Sequence, residues 1–277
     1  MTSPTTTFVL GGGGVLGAVE VGMVQALLER GVRPDLVLGT SVGALNGALV
    51  AALRVEQVVD RLTGLWRAAA AGRQVYADGP ARQLTRVMRT GTHLYSSQPL
   101  RDALTRELGD ATFEQLPVPF QCCAASIERA AEHWFSTGRV VDAVVASAAV
   151  PGLLPPARVG DEHFLDGGVV NSIPVGRAVE LGAQSVFVLQ VGRLDRPLTP
   201  PRRPWQVARV SFEIARRHRF VREMAALPAG VRAYVLPTGG GSAKDDSLLA
   251  HRDFRAVEDR MVRAYQASCR YLDEHLR

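Results

Sequence analysis

Hydrophobic positions along the chain alternate between short continuous runs and helical repeats. The run Thr7–Leu10 predicts a buried strand, and Ala18–Arg30 predicts a helix because its apolar residues recur every three or four positions. Leu36–Leu38 then predicts a second buried strand, and the apolar segment Val42–Leu53 predicts a second helix. This strand–helix–strand–helix order is typical of the start of a parallel α/β sheet.

Short apolar or alternating runs return further along the chain and predict more strands. They are Phe120–Ser126, His133–Phe135, His163–Leu165, Ser185–Leu189 and Arg232–Leu236. Residues 55–110 have no strand pattern and predict two or three helices, interrupted at Gly79-Pro80 and Gly91. The segment Arg252–Leu276 predicts one more helix.

Length and composition fit one globular domain. The 277 residues are 47% hydrophobic and 21% charged, which excludes a disordered chain. A Pro/Arg-rich stretch, Arg196–Pro204, is the best linker candidate, but the strand predicted beyond it is needed by the same sheet. We therefore expect one domain over residues 1–277, with a motif-bearing core at about 7–190 and a C-terminal part, 204–277, that completes it.

The net charge is modest and is carried by arginine. Lys+Arg number 32 and Asp+Glu 27, so the formal net charge is +5, which is too small to require a nucleic acid partner. Segment 202–222 nevertheless holds seven arginines beside two apolar rows at helical spacing. Such a segment is typical either of a helix packed on the sheet with a solvated arginine face or of a basic helix lying on an anionic membrane. The first interpretation is favoured, and the second leaves open peripheral membrane contact.

Cysteine usage and the longest apolar stretches point to a cytoplasmic protein. Three cysteines, two of them adjacent, form neither a disulfide framework nor a metal-ligand spacing. The stretch Val42–Leu53 is too short to cross a bilayer, and Ala143–Ala157 is interrupted by prolines. We expect no transmembrane segment.

A predicted strand-to-helix junction carries the pattern G-x-S-x-G at Gly39–Gly43. A turn this tight leaves no room for flanking side chains, so Gly39 and Gly43 relieve the crowding and Ser41 projects at the helix N-terminus. Unpaired N–H groups and the helix dipole favour developing negative charge there. The junction predicts a nucleophilic serine, and a structural Gly-Ser turn is the alternative.

Four glycines, Gly11–Gly14, follow the first predicted strand. Successive glycines can turn their N–H groups toward one point, as an oxyanion hole requires. The same segment matches the dinucleotide-binding fingerprint as Gly12-x-Gly14-x-x-Gly17. That fingerprint needs an acid at the end of the second strand, whereas Asp35 lies at the strand's start. The oxyanion interpretation is therefore favoured over dinucleotide binding.

A serine nucleophile needs a base, and Asp166 is the best candidate. The run His163–Leu165 delivers it at the C-terminal end of a predicted strand, where sites collect in parallel sheets. Gly167 and Gly168 then permit a close backbone approach. Each of the six histidines is better explained as a surface or core residue. A carboxylate is an effective base only in a largely dry site, so the pattern predicts a desolvated Ser–Asp dyad, with a simple turn as the alternative.

These three segments, in this order, resemble the patatin-like phospholipases. Gly12–Gly17, Gly39–Gly43 and Asp166–Gly168 are similar to the family's glycine loop, its G-x-S-x-G and its D-G-G. Ala146–Pro151 and Val169–Val175 resemble two further family segments, so the resemblance covers about residues 7–190. It implies a three-layer α/β/α fold with a central, mostly parallel sheet, and hydrolysis of lipid acyl esters.

The resemblance also implies roles for individual residues. Ser41 is the expected nucleophile, Asp166 the base, and the N–H groups of Gly12, Gly13 and Gly14 the oxyanion donors, with no metal or cofactor. Many relatives carry arginine in the glycine loop where this chain has Leu16, so ester hydrolysis is better supported than a preference for phospholipid. A dinucleotide-binding protein and a catalytically silent lipid-binding module remain as alternatives.

Overall fold

The computed structural model describes residues 5–72, 91–192, 194, 197–240 and 257–276. Within these ranges, eight strands form one mixed sheet. They are β1 (Thr6–Leu10), β2 (Leu36–Thr40), β3 (Phe120–Ser126), β4 (Ala131–Phe135), β5 (Ala157–Val159), β6 (Glu162–Asp166), β7 (Ser185–Leu189) and β8 (Arg232–Val235). The strand order is β5-β6-β3-β2-β1-β7-β8, with β4 paired to β3.

Helices cover both faces of the sheet. They are α1 (Ala18–Glu29), α2 (Val42–Ala52), α3 (Val55–Gly72), α4 (Gln98–Leu108), α5 (Val140–Ser147), α6 (Val175–Glu180), α7 (Pro204–Ala225) and α8 (Val257–His275). One core cluster joins α1, α2, α5 and α8 to one sheet face, and a smaller one joins α6 and α7 to the other. The expected three-layer α/β/α fold is confirmed.

The parallel part of the sheet runs β3-β2-β1-β7-β8. Phe8, Val9 and Leu10 of β1 are completely buried because helices cover both of their faces. Strands buried on both sides read as continuous apolar runs rather than alternating ones, which is why short runs in the sequence located them.

Asp166 ends its strand as expected, but that strand is antiparallel to both of its neighbours in a mostly parallel sheet. Strand β3 pairs with β2 up to Thr40↔Cys123, and the next residue of β3 pairs with β6 as Ala124↔Asp166. The other edge of β3 is taken by β4 from Cys122 to Ser126. Because a strand has only two edges, β2 and β6 lie end to end along one edge of β3. Their C-termini therefore meet.

Three short elements were missed by the sequence analysis: α5, β5 and α6. The valine-rich α5 is only eight residues long, and helix and strand cannot be distinguished by periodicity in so short an apolar segment. The helices expected in residues 55–110 include α3 and α4. The interruption at Gly79-Pro80, the start of the segment Arg252–Leu276 and Arg196 of the linker candidate lie outside the described residues.

Helix α7 turns two of its arginines toward the protein and several aliphatic side chains toward solvent. Arg216 is 4% exposed, and Arg219 donates to the carbonyl oxygen of Val170. Val207, Ile214 and Val221 are instead 50–63% exposed. The expected solvated arginine face is therefore wrong for Arg216, whereas Arg219 stays partly exposed. No helix in the described ranges is long and apolar enough to cross a bilayer.

Candidate active site

Ser41 occupies a strained turn between β2 and α2. Its φ of 57° and ψ of −122° lie in a region that non-glycine residues rarely adopt. A Cβ on Gly39 would lie 2.5 Å from the carbonyl oxygen of Gly43, and a Cβ on Gly43 would lie 2.2 Å from that of Leu10. Both positions therefore require glycine, Gly39 because of the turn itself and Gly43 because β1 packs against it.

Ser41 and Asp166 form a direct hydrogen bond. The Ser41 Oγ donates to Asp166 Oδ2 at 2.5 Å, and the N–H of Gly168 donates to Asp166 Oδ1 at 2.7 Å. Ser41 is 6% exposed and Asp166 3%. The two residues meet because β2 and β6 end against each other. Gly167 permits this junction, since a Cβ there would lie 2.1 Å from the Cys123 carbonyl oxygen.

Burial sets the protonation behaviour of the carboxyl group. Desolvation raises the pKa of Asp166 from 3.8 to about 6, and the hydrogen bonds from Ser41 and Gly168 offset part of that rise. A carboxylate with such a pKa is a stronger base than one in water and is still ionised at neutral pH. The Asp166 carboxylate can therefore accept the Ser41 proton.

The glycine loop reaches Ser41 at Gly12 and contains backbone donors that have no partner in the described residues. Among the described residues, the N–H groups of Gly13 and Gly14 have no hydrogen-bond partner. The N–H of Gly12 differs from them because it donates to the Ser172 carbonyl oxygen at 2.9 Å. Gly12, expected as a third donor, is thus already engaged within the fold. Gly17 closes the loop against α2, where a Cβ would lie 2.4 Å from Val42 Cγ2.

The profile of the patatin-like phospholipases matches residues 8–179. The chain belongs to the patatin-like phospholipase family. Lysophospholipase nte1 of Aspergillus terreus is 32% identical over 197 residues, which are 68% of this chain and 12% of that protein. Lysophospholipase NTE1 of Saccharomyces cerevisiae is 28% identical over 195 residues, 68% of this chain and 11% of that protein. The chain thus matches about a tenth of the length of these curated relatives.

One solved structure shows the same fold over nearly the whole chain. The crystal structure of VipD from Legionella pneumophila superposes with a TM-score of 0.50 at 16% identity. The superposition covers 99% of this chain and 67% of VipD. At this identity the likeness concerns the fold alone.

In this patatin-like chain, the buried side chains of Ser147 and Thr40 hydrogen-bond the backbone around the serine turn. Ser147 Oγ accepts the N–H of Ser41 at 2.9 Å and donates to the Cys123 carbonyl oxygen at 2.6 Å. The hydroxyl of Thr40 donates to the Asn171 carbonyl oxygen at 2.8 Å. Sequence reasoning gave Ser147 and Asn171 no role, although both lie in segments that carry the family resemblance.

A polar network also lies behind the glycine loop of this patatin-like chain. Glu20 Oε2 accepts from Asn46 Nδ2 at 2.7 Å, and Asn46 Oδ1 accepts from Trp66 Nε1 at 3.1 Å. Complete burial raises the pKa of Glu20 well above its ordinary value, and the hydrogen bond from Asn46 offsets part of that rise.

Histidine takes no part in the pair. The hydrogen bonds of Ser41 and Asp166 within the described residues involve no histidine. His163, the histidine nearest Asp166 in sequence, instead contacts Glu128 at the surface through Nδ1 at 2.8 Å. His251 lies outside the described residues.

Proposed function

We propose that this chain hydrolyses acyl esters of lipids, with Ser41 as nucleophile and Asp166 as base. The observation that carries the proposal is the 2.5 Å hydrogen bond from Ser41 Oγ to a buried carboxyl group. Its pKa of about 6 suits proton transfer near neutral pH. Membership of the patatin-like phospholipase family supports a lipid substrate.

The proposed reaction proceeds through an acyl-enzyme. Ser41 Oγ attacks the ester carbonyl carbon, its proton passes to Asp166, and the carbonyl oxygen becomes an oxyanion facing the N–H groups of Gly13 and Gly14. The bond to the alcohol then breaks, and the alcohol leaves with the proton from Asp166. Water attacks the acyl-enzyme, Asp166 takes its proton, and the acid is released as Ser41 regains a hydrogen. Preorganised donors of this kind are worth ~3–4 kcal/mol in the transition state.

Lysophospholipids, phospholipids and simple acyl esters all fit this chemistry. The relatives named lysophospholipase support the first class. Leu16 stands in the glycine loop without a positive charge, so the proposal ranks ester hydrolysis above recognition of a phosphate.

Turnover of p-nitrophenyl butyrate and of lysophosphatidylcholine tests the proposal. We expect Ser41→Ala to lose at least about 1,000-fold in kcat on both substrates, and the control Ser136→Ala, which changes an exposed serine, to match wild type. Retained turnover in Ser41→Ala contradicts the proposed nucleophile. Vesicle binding without turnover by wild type indicates the silent lipid-binding module, and a rise in Tm on adding NAD indicates the dinucleotide-binding alternative.

We also propose peripheral membrane contact through segment 202–222. Val207, Ile214 and Val221 are spaced by seven residues, lie on one face of α7 and are exposed. Because large apolar side chains gain free energy on leaving water, this stripe favours shallow insertion into a lipid surface.

Flotation with vesicles of phosphatidylcholine and phosphatidylglycerol tests the membrane contact. We expect wild type to float, and a triple change of Val207, Ile214 and Val221 to serine to abolish flotation. Val262→Ser is the matched control, because Val262 is 53% exposed on α8. Absence of wild-type flotation, or equal flotation of the triple variant, rejects the proposed contact.

A further inference from the structure

The Ser172 side chain is a buried hydroxyl without a hydrogen-bond partner in the described part of the chain. Ser172 is 2% exposed, and its Oγ neither donates nor accepts a hydrogen bond there. Native proteins keep few such groups, because an unpaired buried hydroxyl forfeits the hydrogen bonds it makes with water. Beside a reacting centre, such a hydroxyl is explained if its hydrogen-bond acceptor is a group of the substrate that becomes charged during the reaction.

Ser172 lies beside the proposed nucleophile. A Cβ placed on Gly12 would lie 3.2 Å from Ser172 Oγ and 3.3 Å from Ser41 Cβ. The missing side chain of Gly12 thus leaves a narrow space that both groups border. The oxyanion of an attacked ester is two bonds from Ser41 Oγ, so it forms close to the space that the Ser172 hydroxyl borders.

The backbone of Ser172 occupies one of the N–H groups expected to bind the oxyanion. Its carbonyl oxygen accepts the Gly12 N–H at 2.9 Å, which removes that N–H from the set of free donors. The N–H groups of Gly13 and Gly14 have no partner in the described part of the chain. The residue whose carbonyl oxygen occupies the Gly12 N–H therefore also has a side-chain donor beside Gly12.

An unpaired buried hydroxyl also occurs far from the candidate site, so the location of Ser172 is a necessary part of the argument. Ser268 Oγ on α8 is also unpaired, and Ser268 is completely buried. Helix α8 packs against α1 and contributes no residue to the candidate site. Both serines thus lack a hydrogen-bond partner, but of the two Ser172 is the one close to Ser41.

We propose that the Ser172 hydroxyl donates a hydrogen bond to the oxyanion, as a third donor in place of the Gly12 N–H. The inference rests on the proposed function. When Ser41 Oγ bonds to the carbonyl carbon, the carbonyl π electrons move to the oxygen, and the Ser41 proton moves to Asp166. Ser172 keeps its own proton and shares it with that oxygen. Collapse of the intermediate restores the carbonyl, breaks the bond to the alcohol and sends the proton from Asp166 to the alcohol oxygen.

The loop from Asp166 to Ser172 would then supply both the base and a donor. Asp166 is fixed by the Gly168 N–H, and Ser172 is fixed by its backbone contact with Gly12. A side-chain donor in such a position contributes as backbone donors do, and loss of one oxyanion donor lowers kcat by about 100-fold.

Steady-state kinetics of Ser172→Ala, Ser172→Cys and Ser268→Ala on p-nitrophenyl butyrate test the proposal. We expect Ser172→Ala to lose about 100-fold in kcat with KM within about twofold, since the donor acts only in the transition state. Ser172→Cys keeps a similar shape but is a weak donor, so its kcat should fall by nearly as much. Ser268→Ala should match wild type. Unchanged or raised Tm in each variant shows that folding is not the cause.

Two results would overturn the inference. One is a kcat of Ser172→Ala within about threefold of wild type. The other is recovery of wild-type kcat in Ser172→Cys, which would show that the site needs the shape of the side chain rather than its donor. Ser41→Ala, run in parallel, separates the two levels: if it is inactive while Ser172→Ala is fully active, only the third donor is rejected. If Ser41→Ala is as active as wild type, both proposals fail.

Discussion

Replacement of Asp166 by asparagine should stabilise the protein while removing its activity. Burial raises the pKa of Asp166 from 3.8 to about 6. At about 1.4 kcal/mol per pKa unit, ionising this carboxyl in the fold costs about 3 kcal/mol relative to the unfolded chain. Asparagine has the same shape, is neutral, and can still accept the Gly168 N–H and donate to Ser41. We expect a gain of about 1–3 kcal/mol in the free energy of unfolding at pH 8.

The gain should depend on pH in a defined direction. The folded state binds more protons than the unfolded state between pH 3.8 and about 6, so wild-type stability falls as pH rises through this window. Above it the cost of the charge is fully present, and at pH 4.5 the advantage of the variant should shrink to about 1 kcal/mol or less. Activity requires the ionised base, so kcat should fall at least about 1,000-fold at every pH.

Urea unfolding at pH 8 and pH 4.5 measures both effects, with ester turnover alongside. Asp161→Asn is the matched control because the Asp161 side chain is fully solvated, and it should change neither stability nor turnover. If Asp166→Asn is less stable than wild type at pH 8, or if its gain is the same at both pH values, the reasoning from desolvation is refuted.

Three further predictions follow from the same geometry. The acid limb of kcat/KM against pH should report an apparent pKa of about 6, because Asp166 must be ionised in the free enzyme; a limb near 4 would contradict its burial. Gly43→Ala should lower the free energy of unfolding by about 3 kcal/mol or more in urea titrations, since its Cβ would meet backbone 2.2 Å away; a wild-type transition would show that the turn can relax. Ser147→Ala should cost about 2 kcal/mol or more by the same titrations and lower kcat about tenfold, because the Ser41 N–H and the Cys123 carbonyl oxygen lose their shared partner. Unchanged values would remove Ser147 from the support of the serine turn.

Local constraints explain why the serine turn could be predicted from the sequence. Gly39 is required by backbone atoms a few residues away, so the reason for it is visible in the order strand, turn, helix, whereas Gly43 is required by Leu10 of the neighbouring strand. The direction of β6 is different, because it depends on which edge of β3 remains open after β2 ends. The C-terminal position of Asp166 on its strand was predicted, and the antiparallel pairing that brings it to Ser41 was not.

Contacts between residues distant in the sequence explain the features that could not be predicted. The Gly12 N–H is taken by a carbonyl oxygen distant in the sequence, so a glycine-rich pattern alone cannot count the free donors. The composition of segment 202–222 likewise suggests outward arginines, since charged side chains are seldom buried. Arg216 is buried nonetheless, because Glu213 on the same helix pairs with it and α7 packs this face against the sheet.

Labelling with a fluorophosphonate followed by peptide mapping tests the central claim most directly. The reagent forms a covalent adduct with an activated serine, so it reports the nucleophile without knowledge of the lipid substrate. We predict one adduct per chain, located on Ser41, absent in Ser41→Ala and strongly slowed in Asp166→Asn. An adduct on another serine, or equal labelling of wild type and Ser41→Ala, would contradict the Ser41–Asp166 pair as the catalytic centre.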